Sequence, residues 1–503
     1  MTQADSLILL VHSLSKNEKR IFRMGRKDAD YVALFDIIRK AGMVSAHELR
    51  SLFEKKRKDA NFNVTVTYLY KTLLDVLLSL RENQDSYYGL FNKIMKARIL
   101  FEKSLFADSL ELLGKIKDEA ARHENHIALL YASRIELEYL LFLNFPDISE
   151  VDLANRHFRI SGLLNNIRKI DEHSLLYETL KHRTIYKGNV RSKKQKESHN
   201  DLVFSEMSLQ SSIKDSFEAK KLHQLFQSNY LIYIGDNTSA LQSFRELNRL
   251  FEKNPQFWAN PPFYYVSVIE GILDNLRSMR NYGEMPYFID RLRKISHPSA
   301  GFQTHISALI FLYELFPLLD RGEFEASMRL AEQYKDTVLS KTDQLVMLRR
   351  AEISLYISLI HIGLRAFKKA QKTLINEFVR DNSISSFPLY RTIRLVNLII
   401  QYELDNLEFV TLESRSIKRN LSKSESAYRT EHLMLTFLNK SKHELFGSSA
   451  REKIWRKYEP EIMNIRKDIF EYQLFKSFDF TAWIESKLRK IPLSKVLLKL
   501  NNS

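Results

Sequence analysis

The sequence predicts an all-α protein, antiparallel helical hairpins stacked in series between a helical unit at each end. Three observations carry that prediction. Apolar residues fall at mixed three- and four-residue spacing from end to end, and no run alternates long enough to suggest a sheet. Glycine and proline are scarce, at 13 and 10 in 503 residues, too few for the tight turns and phosphate loops of a large α/β enzyme. An aromatic residue followed three positions later by a small or apolar one recurs at a near-constant interval, the mark of a repeat. The chain is too long for one conventional core, and its 44% hydrophobic content offers ample surface to offset chain entropy.

Residues 1–90 read as a helical domain of their own. The apolar run Leu7–Val11 lacks a basic region before it and a small-residue cleavage site after it, so it does not read as a signal peptide, and the expected location is the cytoplasm. Ser15 and Glu18 have the spacing of a capping box that opens a helix to Met24. A second helix spans Tyr31–Lys40 and stops at Gly42, and Ser45 with Glu48 open a third to Phe53. The basic run Lys55, Lys56, Arg57, Lys58 precedes a long helix, Val64–Leu80. Helix, glycine turn, short helix and longer helix are compatible with a helix-turn-helix or winged-helix module. Thr65, Thr67, Tyr68 and Lys71 are then the exposed candidates on the reading helix, and Lys55 to Lys58 the phosphate contacts. That helix is otherwise apolar and lacks the Arg, Asn or Gln expected at the start of a DNA-reading helix. A helical cap on the array behind it is the simpler reading.

Residues 91–440 carry the repeat. Its pairs are Phe106/Ser109, Tyr282/Met285, Phe324/Ser327, Phe367/Ala370 and Phe409/Leu412, with aromatics 42, 43 and 42 residues apart from Tyr282 to Phe409. The 176 residues from Phe106 to Tyr282 make four periods of 44, and Ala240 holds the small position between them. Four residues further on come packing residues such as Phe244, Ile289, Ala331 and Leu374. Twelve residues before the small position, Ala97, Ser228 and Ser358 are small as well. Small residues let two antiparallel helices approach, and the aromatic fills the wedge to the next hairpin. The units between residues 150 and 220 are degenerate.

This pattern resembles the tetratricopeptide repeat, in which a small residue in the first helix and an aromatic and an alanine early in the second lock consecutive hairpins together. The resemblance covers about residues 91 to 440, with a period near 43 rather than the usual 34. It implies a right-handed superhelix, an α-solenoid, whose groove holds a protein or peptide.

The stretch Lys181–Lys196 is strongly basic and reads as a solvated, flexible loop between hairpins, with Lys193, Lys194 and Lys196 as further candidate anion contacts. Ala308–Leu319, the longest apolar stretch, is interrupted by Glu314 and Pro317 and is expected to be too short to span a bilayer. Residues 441–503 bear Trp455, Phe470–Phe480 and Trp483 on helical stretches, expected to cap the last hairpin.

Chemistry is indicated mainly by exclusion. The chain has no cysteine, which removes disulfides, thiolate catalysis and cysteine-based metal sites. It holds no phosphate loop, dinucleotide fingerprint, HExxH or GxSxG. His123 and His126 sit close together at an expected helix connection, but no third ligand is apparent, and they read as solvated. No catalytic, cofactor-binding or metal-binding residue is assigned. The net charge of +16, from 77 basic against 61 acidic residues, favours acidic partners. The expected function is a non-enzymatic scaffold or adaptor that binds a protein or peptide in a helical-repeat groove. The alternative is a nucleic-acid-associated regulator with a helix-turn-helix-like module at its start.

Overall fold

The structure, a computed structural model, describes residues 2–501 except 25, 27–28, 43, 82–85, 189, 191–196, 198–199, 210–215, 259–261, 298, 375–383, 423–426, 445–447 and 469. Among the described residues the fold is all-helical, with 25 α-helices and no strand.

The first five helices are α1 (Gln3–Ser13), α2 (Lys16–Arg23), α3 (Asp30–Ala41), α4 (Ala46–Lys56) and α5 (Phe62–Arg81). They enclose a core of their own in which Leu7, Phe22, Phe35, Phe53 and Leu69 are fully buried. Reciprocal capping boxes open α1 (Thr2 with Asp5), α2 (Ser15 with Glu18) and α4 (Ser45 with Glu48). Each satisfies backbone donors that the first helical turn leaves without partners. The expected helices are present, and α1 is an addition built on the run Leu7–Val11.

The next helices are α6 (Ser86–Glu102), α7 (Phe106–Arg122), α8 (His126–Phe142), α9 (Glu150–Lys187), α10 (Asn200–Leu209), α11 (Phe217–Tyr233) and α12 (Asn237–Lys253). They are followed by α13 (Phe263–Ser278), α14 (Met285–Lys294), α15 (Ala300–Asp320), α16 (Phe324–Gln333), α17 (Met347–Gly363), α18 (Phe367–Leu374), α19 (Pro388–Glu403) and α20 (Leu407–Ser422). Neighbours in sequence pack as neighbours in space. The turn that ends the first helix of each hairpin is nearly invariant. Ser104, Asn144, Gly235, Arg280, Gly322, Arg365 and Asp405 all take the left-handed conformation. In each turn the N–H of that residue returns to the carbonyl three back and the next N–H to the carbonyl five back, as Arg365 to Ile362 and Ala366 to His361. This is a Schellman closure, which satisfies the last free carbonyls of the helix.

After six of these seven turns a buried position lies five residues beyond the left-handed residue; after Asn144 the corresponding Ser149 is exposed. Ser109, Ala240, Met285, Ser327, Ala370 and Val410 occupy it, none more than 1% exposed. The last unit therefore pairs Leu407 with Val410. The expected pair Phe409/Leu412 is out of register by two, and Leu412 is 67% exposed. The aromatics also differ from expectation: Phe324 is buried, whereas Phe106, Tyr282, Phe367 and Phe409 are half-buried. At the start of a second helix an aromatic ring covers the hairpin edge, and only Phe324 is roofed further. Its ring lies against Gly363, where an added Cβ would sit 2.2 Å from the ring, and Phe244 meets Gly271 in the same way at 2.4 Å. Ala97, Ser228 and Ser358 are buried as expected, with the Ser109 hydroxyl donating to the Ala97 carbonyl at 2.7 Å.

Two further expectations are corrected. Residues 181–187 form the last turns of α9, a helix of 38 residues, so the basic stretch begins on a helix rather than in a loop. Gly188 (φ 74°) ends it. Helix α15 is 21 residues long and by length and composition is apolar enough to cross a membrane. Its Leu309, Phe311, Leu312 and Leu315 are fully buried against neighbouring helices.

The chain ends with α21 (Arg429–Glu444), α22 (Ser448–Arg466), α23 (Tyr472–Phe475), α24 (Phe480–Arg489) and α25 (Leu493–Asn501). Glu471, 4% exposed, accepts from the backbone N–H groups of Arg429 and Thr430 and from the Thr430 hydroxyl. A carboxylate at a helix N-terminus meets both free donors and the positive end of the dipole, so this distant residue caps α21.

Candidate interaction surfaces

The first helices of the later hairpins, α13, α15, α17 and α19, bring their C-terminal ends into one row, and the end of the chain lies along it. Arg277 at the end of α13 is 5% exposed at its side chain and binds both Asp320 oxygens, at 3.1 and 3.0 Å. It also donates to Tyr356 Oη at 3.4 Å and to the Lys476 carbonyl, and stacks on the Phe316 ring at 3.6 Å. Burial works against its charge, and Asp320 and Tyr356 outweigh that, so the guanidinium pKa is raised well above its ordinary value. Lys476 Nζ pairs with Asp274 at 2.9 Å, Arg280 donates to the Leu500 carbonyl, and Trp483 Nε1 donates to Glu403 at 2.9 Å. At the turn after α15, Gly322 (φ 74°) has Ser494 of α25 so close that a Cβ would lie 2.8 Å from it. A cavity of about 240 Å³ remains between these parts, lined by Arg277, Arg280, Asp320, Arg466 and Asp479. This face of the later hairpins is therefore occupied by the protein's own last helices.

The first hairpins are different. On α6, Tyr88, Met95 and Ile99 are exposed, and on α8, Ile127, Tyr131, Leu141 and Phe142. On α6 the spacings of seven and four place the three side chains on one face; on α8, Ile127, Tyr131, Leu141 and Phe142 share one stripe with the exposed Arg134 and Glu138. Arg98 donates to Tyr131 Oη at 3.3 Å, joining the two stripes. Large apolar side chains gathered on one face of a folded protein mark an interaction surface more often than scattered ones do.

A third surface lies on the five-helix unit. Lys55, Lys56 and Lys58 are exposed, while Arg57 is partly covered, 3.6 Å from Asp30. Lys193, Lys194 and Lys196 lie outside the described residues. Of the reading-helix candidates, Thr65 is buried, correcting the expectation, because its hydroxyl donates to the Asn61 carbonyl on the inner side of α5. Thr67 hydrogen-bonds Gln3 at 2.9 Å, Tyr68 packs on Tyr31 with centroids 4.9 Å apart, and Lys71 is exposed. A more concentrated positive region, which sequence reasoning missed, is a cleft of about 620 Å³ lined by Lys16, Lys19, Arg20, Arg23 and Arg39. Burial and the nearby Arg39 lower the Lys19 pKa. The signal was present as four basic residues within one helix turn pair, KNEKRIFR, but the partner from α3 comes only with folding.

His123 and His126 stand at the α7–α8 turn, half-buried rather than solvated, because the turn is pressed against the start of α11. There Glu124 accepts from the Phe217 N–H at 2.9 Å and the Ser216 hydroxyl at 3.0 Å. Comparison of the chain with protein-family models, with curated proteins and with solved structures finds no match.

Proposed function

We propose that this protein is a non-enzymatic, cytoplasmic scaffold or adaptor: a TPR-like right-handed superhelix that holds a protein or peptide segment on the open face of its first hairpins. The observation that carries this reading is the joined apolar stripe of α6 and α8, Tyr88, Met95 and Ile99 beside Ile127 and Tyr131, linked through Arg98 and Tyr131. The repeated Schellman turns and small contact residues support the superhelical part, since equal turns and equal approach distances rotate each hairpin equally against the last. One face of the later hairpins is covered by the chain's own C-terminal helices, which leaves the first hairpins for a partner. Affinity purification of the intact chain, with and without nuclease, tests the class of partner. Met95→Glu with Tyr131→Ala should abolish nuclease-resistant recovery at unchanged melting temperature; recovery that survives both substitutions refutes the assigned surface.

A second reading is favoured by one observation, the cleft of Lys16, Lys19, Arg20, Arg23 and Arg39 on the same five-helix unit as the exposed Lys55, Lys56 and Lys58. It makes residues 1–90 a nucleic-acid-binding module. Each phosphate contact then contributes about one unit to the salt slope of duplex binding. Tight binding to a defined duplex, lost on neutralising these residues, would favour this reading over the scaffold.

A further inference from the structure

Three side chains from three helices meet in the interior between α9, α10 and α11. His173 of α9 is 1% exposed and Glu206 of α10 is 5% exposed, and His223 of α11 joins them from the edge of a cleft. One ligating atom of each lies within 4.8 Å of the other two. His223 Nδ1 contacts Glu206 Oε1, and His173 Nδ1 stands 3.7 Å from Glu206 Oε2, beyond hydrogen-bond length. The imidazoles are inclined at 76° with centroids 6.1 Å apart, so they do not stack.

Both ring nitrogens of His173 and Glu206 Oε2 are buried and have no hydrogen-bond partner among the described residues. Neither nitrogen of a histidine that serves only as packing is ordinarily left so, because burial forfeits bonds to water that nothing replaces. A His–Glu–His relay accounts for His223 and one carboxylate oxygen, but it leaves His173 Nδ1 at ion-pair distance, 3.7 Å, from Oε2 without a hydrogen bond, and His173 Nε2 facing no partner among the described residues. A cation between the three takes Glu206 Oε2 and one ring nitrogen of His173, and leaves only the other ring nitrogen, then an N–H, to be satisfied.

We propose that His173, Glu206 and His223 form a binding site for one divalent transition-metal ion of the zinc type. Two imidazoles and one carboxylate suit zinc and its neighbours; magnesium and calcium prefer oxygen alone. Three protein ligands leave a fourth position for water. That position is reached from a cleft of about 420 Å³ whose lining includes Gln227, Gln242 and Glu246 beside Glu206 and His223. The ion pins α10 to the α9–α11 pair, a role beyond the surface assigned to the partner. The ligands are 33 and 17 residues apart on separate helices, so no short motif announces them.

The test uses the untagged full-length chain, first stripped with chelator, and Zn²⁺ by calorimetry or Co²⁺ by visible absorption. With no cysteine in the chain, the cobalt spectrum reports nitrogen and oxygen ligands alone. One ion per chain is expected, with Kd below about 1 μM, and zinc should slow amide exchange in α10. His223→Gln and Glu206→Gln should each weaken binding at least ~100-fold, because each removes a ligand and loss even of an outer-shell partner costs 10–100-fold. His126→Gln should leave binding unchanged. If His173→Gln fails to fold, His223→Gln at the cleft edge decides the matter. No saturable binding, or equal affinity in wild type and His223→Gln, overturns the proposal.

Discussion

Replacing Arg277 with Met removes the centre of the contact between the later hairpins and the C-terminal helices while keeping most of the side-chain volume. Breaking one partner out of a buried ion pair costs about 3–5 kcal/mol, because the other charge is left uncompensated. Two features place this case at the lower end. Asp320 keeps 25% of its side chain exposed, and the Tyr282 hydroxyl still donates to it at 3.0 Å. The expected loss is therefore about 3 kcal/mol. With a urea slope of about 3 kcal/mol/M the unfolding midpoint should fall by about 1 M. Far-UV circular dichroism under urea reads the midpoint. Limited proteolysis reads the location: cuts should appear within residues 472–501, which lose the bond between Arg277 and the Lys476 carbonyl. Arg277→Met with Asp320→Asn should recover about half the loss, since the stranded charge is gone. A midpoint shift below about 0.3 M, or a double variant no better than the single one, would refute the claim that this ion pair is what holds the end of the chain in place.

The remaining predictions concern the repeat. Gly363→Ala should destabilise by about 1–3 kcal/mol, because the new Cβ collides with the buried Phe324 ring; Arg365→Gly, two residues later and left-handed at φ 57°, should stabilise by about 0.5–1 kcal/mol. Chemical denaturation of the two variants gives opposite signs if the turn is as described. Leu412→Lys should change stability by under ~0.5 kcal/mol, as surface substitutions do, whereas Val410→Asp should cost more than ~3 kcal/mol by burying a carboxylate; the reverse ranking would restore the register expected from the aromatics. Phe324→Ala should cost about 3–5 kcal/mol, and Phe367→Ala about half as much because its ring is half-buried. Equal losses measured by calorimetry would remove the distinction.

The helices, their approximate ends and the repeat period were legible in the chain, because helical spacing, capping boxes and small contact residues are local properties. Ser15 with Glu18 and Ser45 with Glu48 name their helix starts within four residues. The register of the last repeat was not legible. It is set by left-handed turns, and Ser, Asn, Arg and Asp fill most of those positions where glycine would have announced them. Phe409 offered a more visible aromatic two residues from Leu407, and composition has no means of choosing between them. The long-range neighbourhoods lay further from view. Arg277 meets Lys476 across 199 residues, and His173, Glu206 and His223 come from three helices. An isolated charge or histidine in a sequence carries no sign of its partner, since partners are assigned by packing between helices. Periodicity tells each helix which side to bury. The identity of the side chain waiting there depends on how hairpins stack, and with it depend the filled face, the open face and the metal site.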